Sequence, residues 1–321
     1  STLPAAEATG NMTLRPHSIV HEVLYDADTK RATGIRLIYA ETNETHEYYA
    51  KIIFLCASAV ASTSILMQSK SDRFPNGMGN DSGELGHNIM DHHFRIGARA
   101  KVEGFEDKYY FGRRPTGFYI PRFRNIGGKT AQKEFLRGYG YQGGSSRGSW
   151  TQVAEQAAFG ETFKKELIKP GQWTIDVNAF GETLPYHENK MYLDYNKRDE
   201  WGLPTVTFDA EIKENEMAMR KDMEQQAFEM FDKAGFKEVS TYDDGYSLGL
   251  GIHEMGTARM GRNSKTSVLN GNNQIHDVPN VYVTDGAAMT SAGNQNPSLT
   301  YMALTARAAN HAVNELKKMN L

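Results

Sequence analysis

From Gly251 to Leu321 three unlike pieces follow one another in a fixed order, and together they limit what this chain can fold into. His253-Glu254-Met255-Gly256-Thr257-Ala258-Arg259-Met260-Gly261 puts a histidine on a glycine-rich turn. Asn280-Val281-Tyr282-Val283-Thr284-Asp285-Gly286 is a short apolar strand that stops at Asp-Gly. Gly293-Asn294-Gln295-Asn296-Pro297-Ser298-Leu299-Thr300 then opens an alanine-rich segment. That segment predicts a helix from Pro297 to Lys318 with Leu299, Met302, Ala303, Ala306, Val313 and Leu316 turned inward. Asn296 fits its N-cap, Pro297 its first helical position, and Lys317 and Lys318 its negative C-terminal end.

The opening of the chain has a related style. Met12 to Cys56 reads as three strands, Ser18–Tyr25, Ile35–Tyr39 and Ile52–Cys56, separated by turns at Asp26-Ala27-Asp28 and Thr42-Asn43-Glu44. A short helix from Ala57 to Met67 follows. Strand, turn of small residues and helix form a unit like those of nucleotide-binding domains, without a glycine fingerprint. Cys56, the single cysteine, lies in an apolar run and is expected to be buried; alone, it excludes an intrachain disulfide framework.

The middle, about His93 to Gly245, is richer in Tyr, Phe, Trp and Gly. Strand-like pieces at Trp173–Phe180, Lys190–Tyr195 and Thr205–Phe208 precede a helix over Asn215–Ala234, where Met219, Met223, Ala227, Met230, Phe231 and Ala234 share a face and Gly235 ends it. The expectation is an α+β fold. An α/β-type lobe is built from residues 1–92 and 250–321, so that Met12–Cys56 and Val281–Lys318 pack together. A second lobe, residues 93–249, holds an antiparallel sheet covered by helices.

Composition excludes several functions. With 39% hydrophobic and 23% charged residues and a net charge of −3, the chain reads as globular, without the basic excess that nucleic acid or an anionic membrane surface attracts. No apolar run is long enough to span a bilayer. No signal-peptide pattern stands at Ser1, and the compartment, cytoplasmic or periplasmic, is not encoded in a readable way. His92-His93 and His253-Glu254 are adjacent pairs, which do not converge readily on one ion, so no metal site is expected.

Two motif matches fail on context. Gly138-Tyr139-Gly140-Tyr141-Gln142-Gly143 has dinucleotide-fingerprint spacing, but Gly144-Ser145-Ser146-Arg147-Gly148 follows instead of a helix, so a flexible loop is expected. The same stretch matches the nucleophile elbow of serine hydrolases, which would enlist Ser146, Asp243 and His253, yet no apolar strand precedes it. His253 taken alone reads as an ordinary histidine and Asn296 alone as a helix cap. Together they gain meaning, because a helix N-terminus suits a ring that becomes anionic, as a reduced flavin does.

From Asn11 to His93 and from Gly251 to Leu321 the chain resembles the glucose-methanol-choline oxidoreductases, in the branch described as gluconate-dehydrogenase-like. Leu85-Gly86-His87-Asn88-Ile89-Met90-Asp91-His92 is similar to that family's Gly-x-Asn-Leu-Met-Asp-His segment, and Ala57-Ser58-Ala59 stands where Ala-Gly-Ala is usual. Asn189–Trp201 resembles its variable substrate region less specifically. The resemblance implies an FAD-dependent oxidoreductase acting on the CH–OH group of a sugar or other alcohol. It assigns residues 1–92 and 250–321 to the FAD-binding domain and 93–249 to the substrate-binding domain. It implies that His253 and Asn296 are catalytic, that Val20 touches the adenine end of FAD, that Asp285 and Gly286 lie beside the pyrophosphate and flavin, and that Pro297 and Ser298 face the isoalloxazine. The family's N-terminal dinucleotide fingerprint has no counterpart here. The expectation is therefore a C-terminal part, binding FAD weakly or not at all by itself, that needs a further N-terminal FAD-binding segment or chain. The alternative is a non-catalytic substrate-binding or assembly subunit with a separate FAD-domain partner.

Overall fold

The computed structural model describes residues 2–108, 117–148, 154, 159–169, 171–245 and 247–321. After a short helix, α1 (Thr2–Glu7), the chain builds an antiparallel three-stranded sheet, β1 (Ser18–Asp26), β2 (Arg31–Tyr39) and β3 (Thr45–Tyr49), in that order. The Asp26 carboxylate closes the first turn by accepting from Asp28 N (3.0 Å) and Thr29 Oγ1 (2.8 Å). The second turn leads to β3, a strand not expected from the sequence. All five residues of β3 are exposed, so they carry no apolar alternation to reveal it.

The chain then enters β4 (Ile53–Leu55) and α2 (Ala59–Gln68). β4 pairs in parallel with β13 (Val278–Val283), which also holds the short β12 (Gln274–Ile275), giving the order β12-β13-β4. Asn280 ties this sheet to the first one: its Oδ1 accepts from Ala32 N (3.0 Å) and its Nδ2 donates to Ala32 O (2.7 Å) and Lys51 O (2.9 Å). One apolar core unites residues from both ends of the chain, among them Val23, Ile53, Leu55, Leu66, Val281, Val283 and Ala288.

Between these halves lies an antiparallel five-stranded sheet formed by β5 (Ile96–Val102), β6 (Phe118–Ile120), β7 (Tyr139–Arg147), β8 (Trp173–Gly181) and β11 (Lys237–Asp243), in the order β11-β5-β8-β7-β6. A helix α3 (Glu161–Ile168) precedes β8, and β9 (Lys190–Arg198) pairs with β10 (Pro204–Asp209). The helix α4 (Glu214–Lys233) lays Met219, Met223, Ala227 and Phe231 on this sheet, against Ile96, Ala98, Tyr139, Tyr141 and Val177. This is the face read from the sequence, and Gly235 ends the helix with φ +79°.

Four expectations are corrected. Gly138–Gly148 is not a flexible loop: Tyr139–Arg147 is a strand in the body of the sheet. The glycines are there because a Cβ at Gly143 would lie 2.5 Å from Asp176 O, and one at Gly140 2.6 Å from Asn294 Nδ2. Cys56 is exposed, since β4 ends before it, with Sγ 3.2 Å from Thr284 Oγ1. The last helix, α5 (Ser298–Lys317), packs Tyr301, Leu304, Thr305, Ala308, His311 and Ala312 inward, whereas Leu299 is 77% and Val313 48% exposed. The large apolar stripe is not the inner face, because the core accepts small alanines and polar groups such as His311, whose Nδ1 lies 3.0 Å from Tyr282 Oη. Finally, Pro297 is the N-cap of α5 and no side chain caps it. Asn296 precedes the helix and is used elsewhere.

Candidate active site

Two loops from different parts of the sequence are locked together where the sheets meet. Met90 and Met255 exchange both backbone hydrogen bonds at 2.9 Å, and Gly86 N donates to Thr257 O at 2.7 Å. Beneath this junction lies the buried Asp91. Its Oδ1 accepts from the backbone N–H groups of His92 (2.7 Å) and His253 (3.1 Å), and its Oδ2 from those of Gly249 (2.9 Å) and Gly251 (2.8 Å). Four N–H donors suit an ionised carboxylate, and together they fix the course of the loop that delivers His253. Gly251 is required by that fit, because a Cβ there would stand 2.5 Å from Asp91 Oδ1.

His253 is half-buried, and its two ring nitrogens face different neighbours. Nδ1 lies 2.9 Å from Nδ1 of His92, the rings meeting edge to face with centroids 4.8 Å apart. Nε2 lies 3.3 Å from Asn296 Nδ2. The other ring nitrogen of His92, Nε2, contacts the Gly293 carbonyl. The carboxamide of Asn296 is held from its far side by Gln142 on β7, whose Nε2 donates to Asn296 Oδ1 at 2.9 Å. Both histidines have their pKa lowered from the ordinary value, first by burial, which disfavours the imidazolium.

The residues proposed for cofactor contacts stand in three places. Asp285 and Gly286 follow β13 beside the start of α2: the Asp285 carboxylate accepts from Ser62 Oγ (2.5 Å) and Ala287 N (2.9 Å), and burial raises its pKa. Gly286 cannot carry a side chain, because a Cβ would lie 2.2 Å from Glu254 O. Pro297 and Ser298 open α5 directly after Asn296. Val20 on β1 lines a cavity of ≈ 400 Å³ with Ile35, Ile53, Cys56 and Ala57, at the carboxyl end of β4.

The serine-hydrolase alternative is not built. Ser146 is an exposed strand residue beside Thr174 Oγ1 at 3.4 Å, and Asp243 is taken by the buried Arg220. Among the described residues no group of three or more His, Cys, Asp or Glu could hold a metal ion, and no helix is long and apolar enough to cross a membrane.

Sequence reasoning did not assign roles to Asp91, His92 or Gln142. Asp91 and His92 lie in the family-like Asp-His segment, which is a signal; Gln142 lies in the glycine-rich strand β7, whose sequence has the character of a loop and carries none.

The GMC oxidoreductase family matches this chain in two parts, its N-terminal model over residues 1–94 and its C-terminal model over residues 185–305. The chain is 32% identical to 2-methyl-1,2-propanediol dehydrogenase of Mycolicibacterium austroafricanum, over 96% of this chain and 55% of that protein. It is 26% identical to the fructose dehydrogenase large subunit of Gluconobacter japonicus, over 94% of this chain and 54% of that protein. It thus spans about half the length of the curated relatives it matches. Formate oxidase of Aspergillus oryzae shares the fold, with a TM-score of 0.67 at 14% identity over 97% of this chain and 62% of the other. With the family's N-terminal and C-terminal models both matched, together over more than half of its length, the chain belongs to the GMC oxidoreductases.

Proposed function

We propose that this chain forms the catalytic part of an FAD-dependent oxidoreductase that oxidises a CH–OH group of a sugar or other alcohol. The observation that carries this reading is the contact of His253 Nε2 with Asn296 Nδ2, made at the expense of a helix cap. The domain roles follow the same reading: residues 1–92 and 250–321 serve FAD, and 93–249 serve the substrate.

The residues available fit a flavin nucleotide. The parallel strands β4 and β13 end side by side, and open α/β sheets bind ligands at the carboxyl ends of such strands. The cavity at Val20 is mainly apolar in lining, which suits an adenine ring, while Asp285, Gly286 and the start of α5, where Pro297 offers its ring and Ser298 the first backbone N–H, would stand near the pyrophosphate and ring system. FAD, when bound, supplies the hydride acceptor.

The protein's part is proton handling and alignment. Loss of hydride from an alcohol carbon leaves a cationic carbonyl unless the hydroxyl proton also departs, so a base must stand at that oxygen. Neutral His253 Nε2 is that base, and Asn296 Nδ2, held by Gln142, donates to the same oxygen. Burial lowers the His253 pKa and keeps the ring neutral at pH 7.

In the flavin-loaded enzyme, His253→Ala should lower turnover by about a hundredfold or more, the usual scale of a lost general base. Its acidic limb in kcat/KM should have a midpoint below 6.5, since activity needs the unprotonated ring and burial holds the pKa under that value. Undiminished turnover of His253→Ala would remove the proposal. Among the described residues the one strand–turn–helix unit of pyrophosphate type, β4–α2, carries Ala57-Ser58-Ala59 instead of glycines. We therefore propose that this chain by itself retains little FAD, which flavin absorbance after purification tests. The exposed apolar stripe of α5 at Leu299, Met302 and Val313 favours a chain that works together with further polypeptide, either a catalytic partner segment or the FAD-domain partner of a substrate-binding subunit.

A further inference from the structure

We infer that His92 is a positioning residue that fixes His253 as the Nδ1–H tautomer and so leaves the lone pair on Nε2, beside Asn296. The inference rests on the proposed role of His253 as base.

The argument starts at the Gly293 carbonyl, which can only accept. His92 Nε2 contacts that oxygen, so Nε2 carries the His92 proton. A neutral imidazole holds one proton, and His92 is buried, with its charged form disfavoured for that reason. Its Nδ1 is therefore a bare acceptor. The atom 2.9 Å from it is Nδ1 of His253, which must donate. That donation takes the single proton of neutral His253, and the remaining lone pair lies on Nε2, where Asn296 Nδ2 stands 3.3 Å away. At the far end Asn296 Oδ1 accepts from Gln142 Nε2, which turns the amide nitrogen and not the oxygen toward His253. Each link has one donor and one acceptor, and the direction is set by a group that cannot reverse.

The partner's chemistry matters too. A carboxylate on Nδ1 would raise the basicity of His253; a neutral imidazole orients the ring without adding negative charge. The charged neighbour of both rings is Asp91, whose oxygens accept from four backbone N–H groups and from neither ring. When Nε2 takes the alcohol proton, Nδ1–H stays on the His92 lone pair, which shares the new positive charge. The carbonyl beyond cannot take a proton onward, so the pair holds the charge and does not pass it to solvent.

The test reads the tautomer directly. In the full chain with 15N-labelled histidine, two-bond proton–nitrogen correlation at a pH where both rings are neutral should show His253 protonated at Nδ1 and bare at Nε2, and His92 the reverse. The signals are assigned by their loss in His253→Ala and His92→Ala. His92→Ala should free His253 to populate the Nε2–H form. In the flavin-loaded enzyme it should lower kcat by about ten- to a hundredfold, no more than the lower end of the roughly 10²–10⁴-fold a general base contributes, because the base itself remains, while KM changes little. His92→Asn, whose carboxamide oxygen replaces Nδ1 as acceptor, should recover most of that loss and restore the Nδ1–H form. A wild-type His253 protonated at Nε2 overturns the inference, even if His92→Ala fails to fold. So does a His253 tautomer unchanged in His92→Ala, with the proposed reaction still supported if His253→Ala is inactive. Full activity of His253→Ala would instead remove the base itself.

Discussion

Replacing Asp91 by Asn tests whether one carboxylate organises the whole site. In the native chain its two oxygens accept four backbone N–H bonds, two each, from His92, His253, Gly249 and Gly251. Asn keeps one oxygen and puts an NH2 group in place of the other, so one pair of donors loses its acceptor and meets a donor instead. Hydrogen bonds to a charged group are worth about 1.5–3 kcal/mol each. Two lost bonds therefore cost about 3–6 kcal/mol, offset in part because a neutral amide is cheaper to bury than a charge. The expected net loss is about 3 kcal/mol, which lowers Tm by roughly 6–12 °C for lobes of this size. Urea midpoints and thermal scans of the wild-type and Asp91→Asn chains measure it without any cofactor. The variant should also blur the His253 ring signals, because the His253 N–H is one of the four bonds. A change below about 1 kcal/mol, within the ordinary run of single substitutions, would mean that the loop is held by other contacts and that the reasoning is wrong.

Three further outcomes follow from the same geometry. Asn296→Ala should change stability by less than about 0.5 kcal/mol, against about 1 kcal/mol for a true cap, while turnover in the loaded enzyme falls by roughly tenfold for the lost hydrogen bond; equal losses would make Asn296 a structural residue. Ser58→Gly should stabilise the chain by about 1 kcal/mol or more, because Ser58 holds φ 77° and ψ 163° before α2, a region that only glycine enters without strain; a neutral or destabilising result in urea titration would deny that strain. Acid should weaken the fold through His93, whose pKa burial, and then the nearby Arg220 guanidinium, lowers from 6.5 to about 3. The unfolded chain binds that proton below pH 6.5 and the folded chain does not, so stability is complete above 6.5 and falls toward pH 3 by up to about 1.4 kcal/mol per pH unit; His93→Gln should flatten that slope, and an unchanged slope would exclude His93 as its source.

What the sequence reveals about this molecule depends on whether a residue's partner is near it in the chain or far away. The strands β1, β2 and β13 and the helix α4 are legible because their apolar spacing is local and long enough to carry a period. The exposed β3 and the glycine-rich β7 are not. β3 is exposed throughout and joins β2 through its backbone and the Arg36–Glu47 ion pair, which leave no apolar pattern, and β7 uses glycines because Asp176 and Asn294 crowd its face from distant positions. The inner face of α5 is hidden from the sequence for a related reason. Its stripe of large apolar residues is conspicuous in sequence, but helix burial is settled by the surface offered to it, and Tyr282 and the β13 strand offer room for Ala308 and Ala312. The site shows the same division. His253 and Asn296 could be singled out by family likeness, yet the contacts on which the proposed base and its lone pair rest come from His92 and the Gly293 carbonyl. The sequence separations are 161 residues between the two rings and 201 between His92 and Gly293. Asp91 spans a similar gap to the loop it organises, 162 residues to His253. The proposed site therefore depends on contacts between distant parts of the chain, which is why the Asp-His at 91–92 carries little meaning on its own and a specific one beside His253.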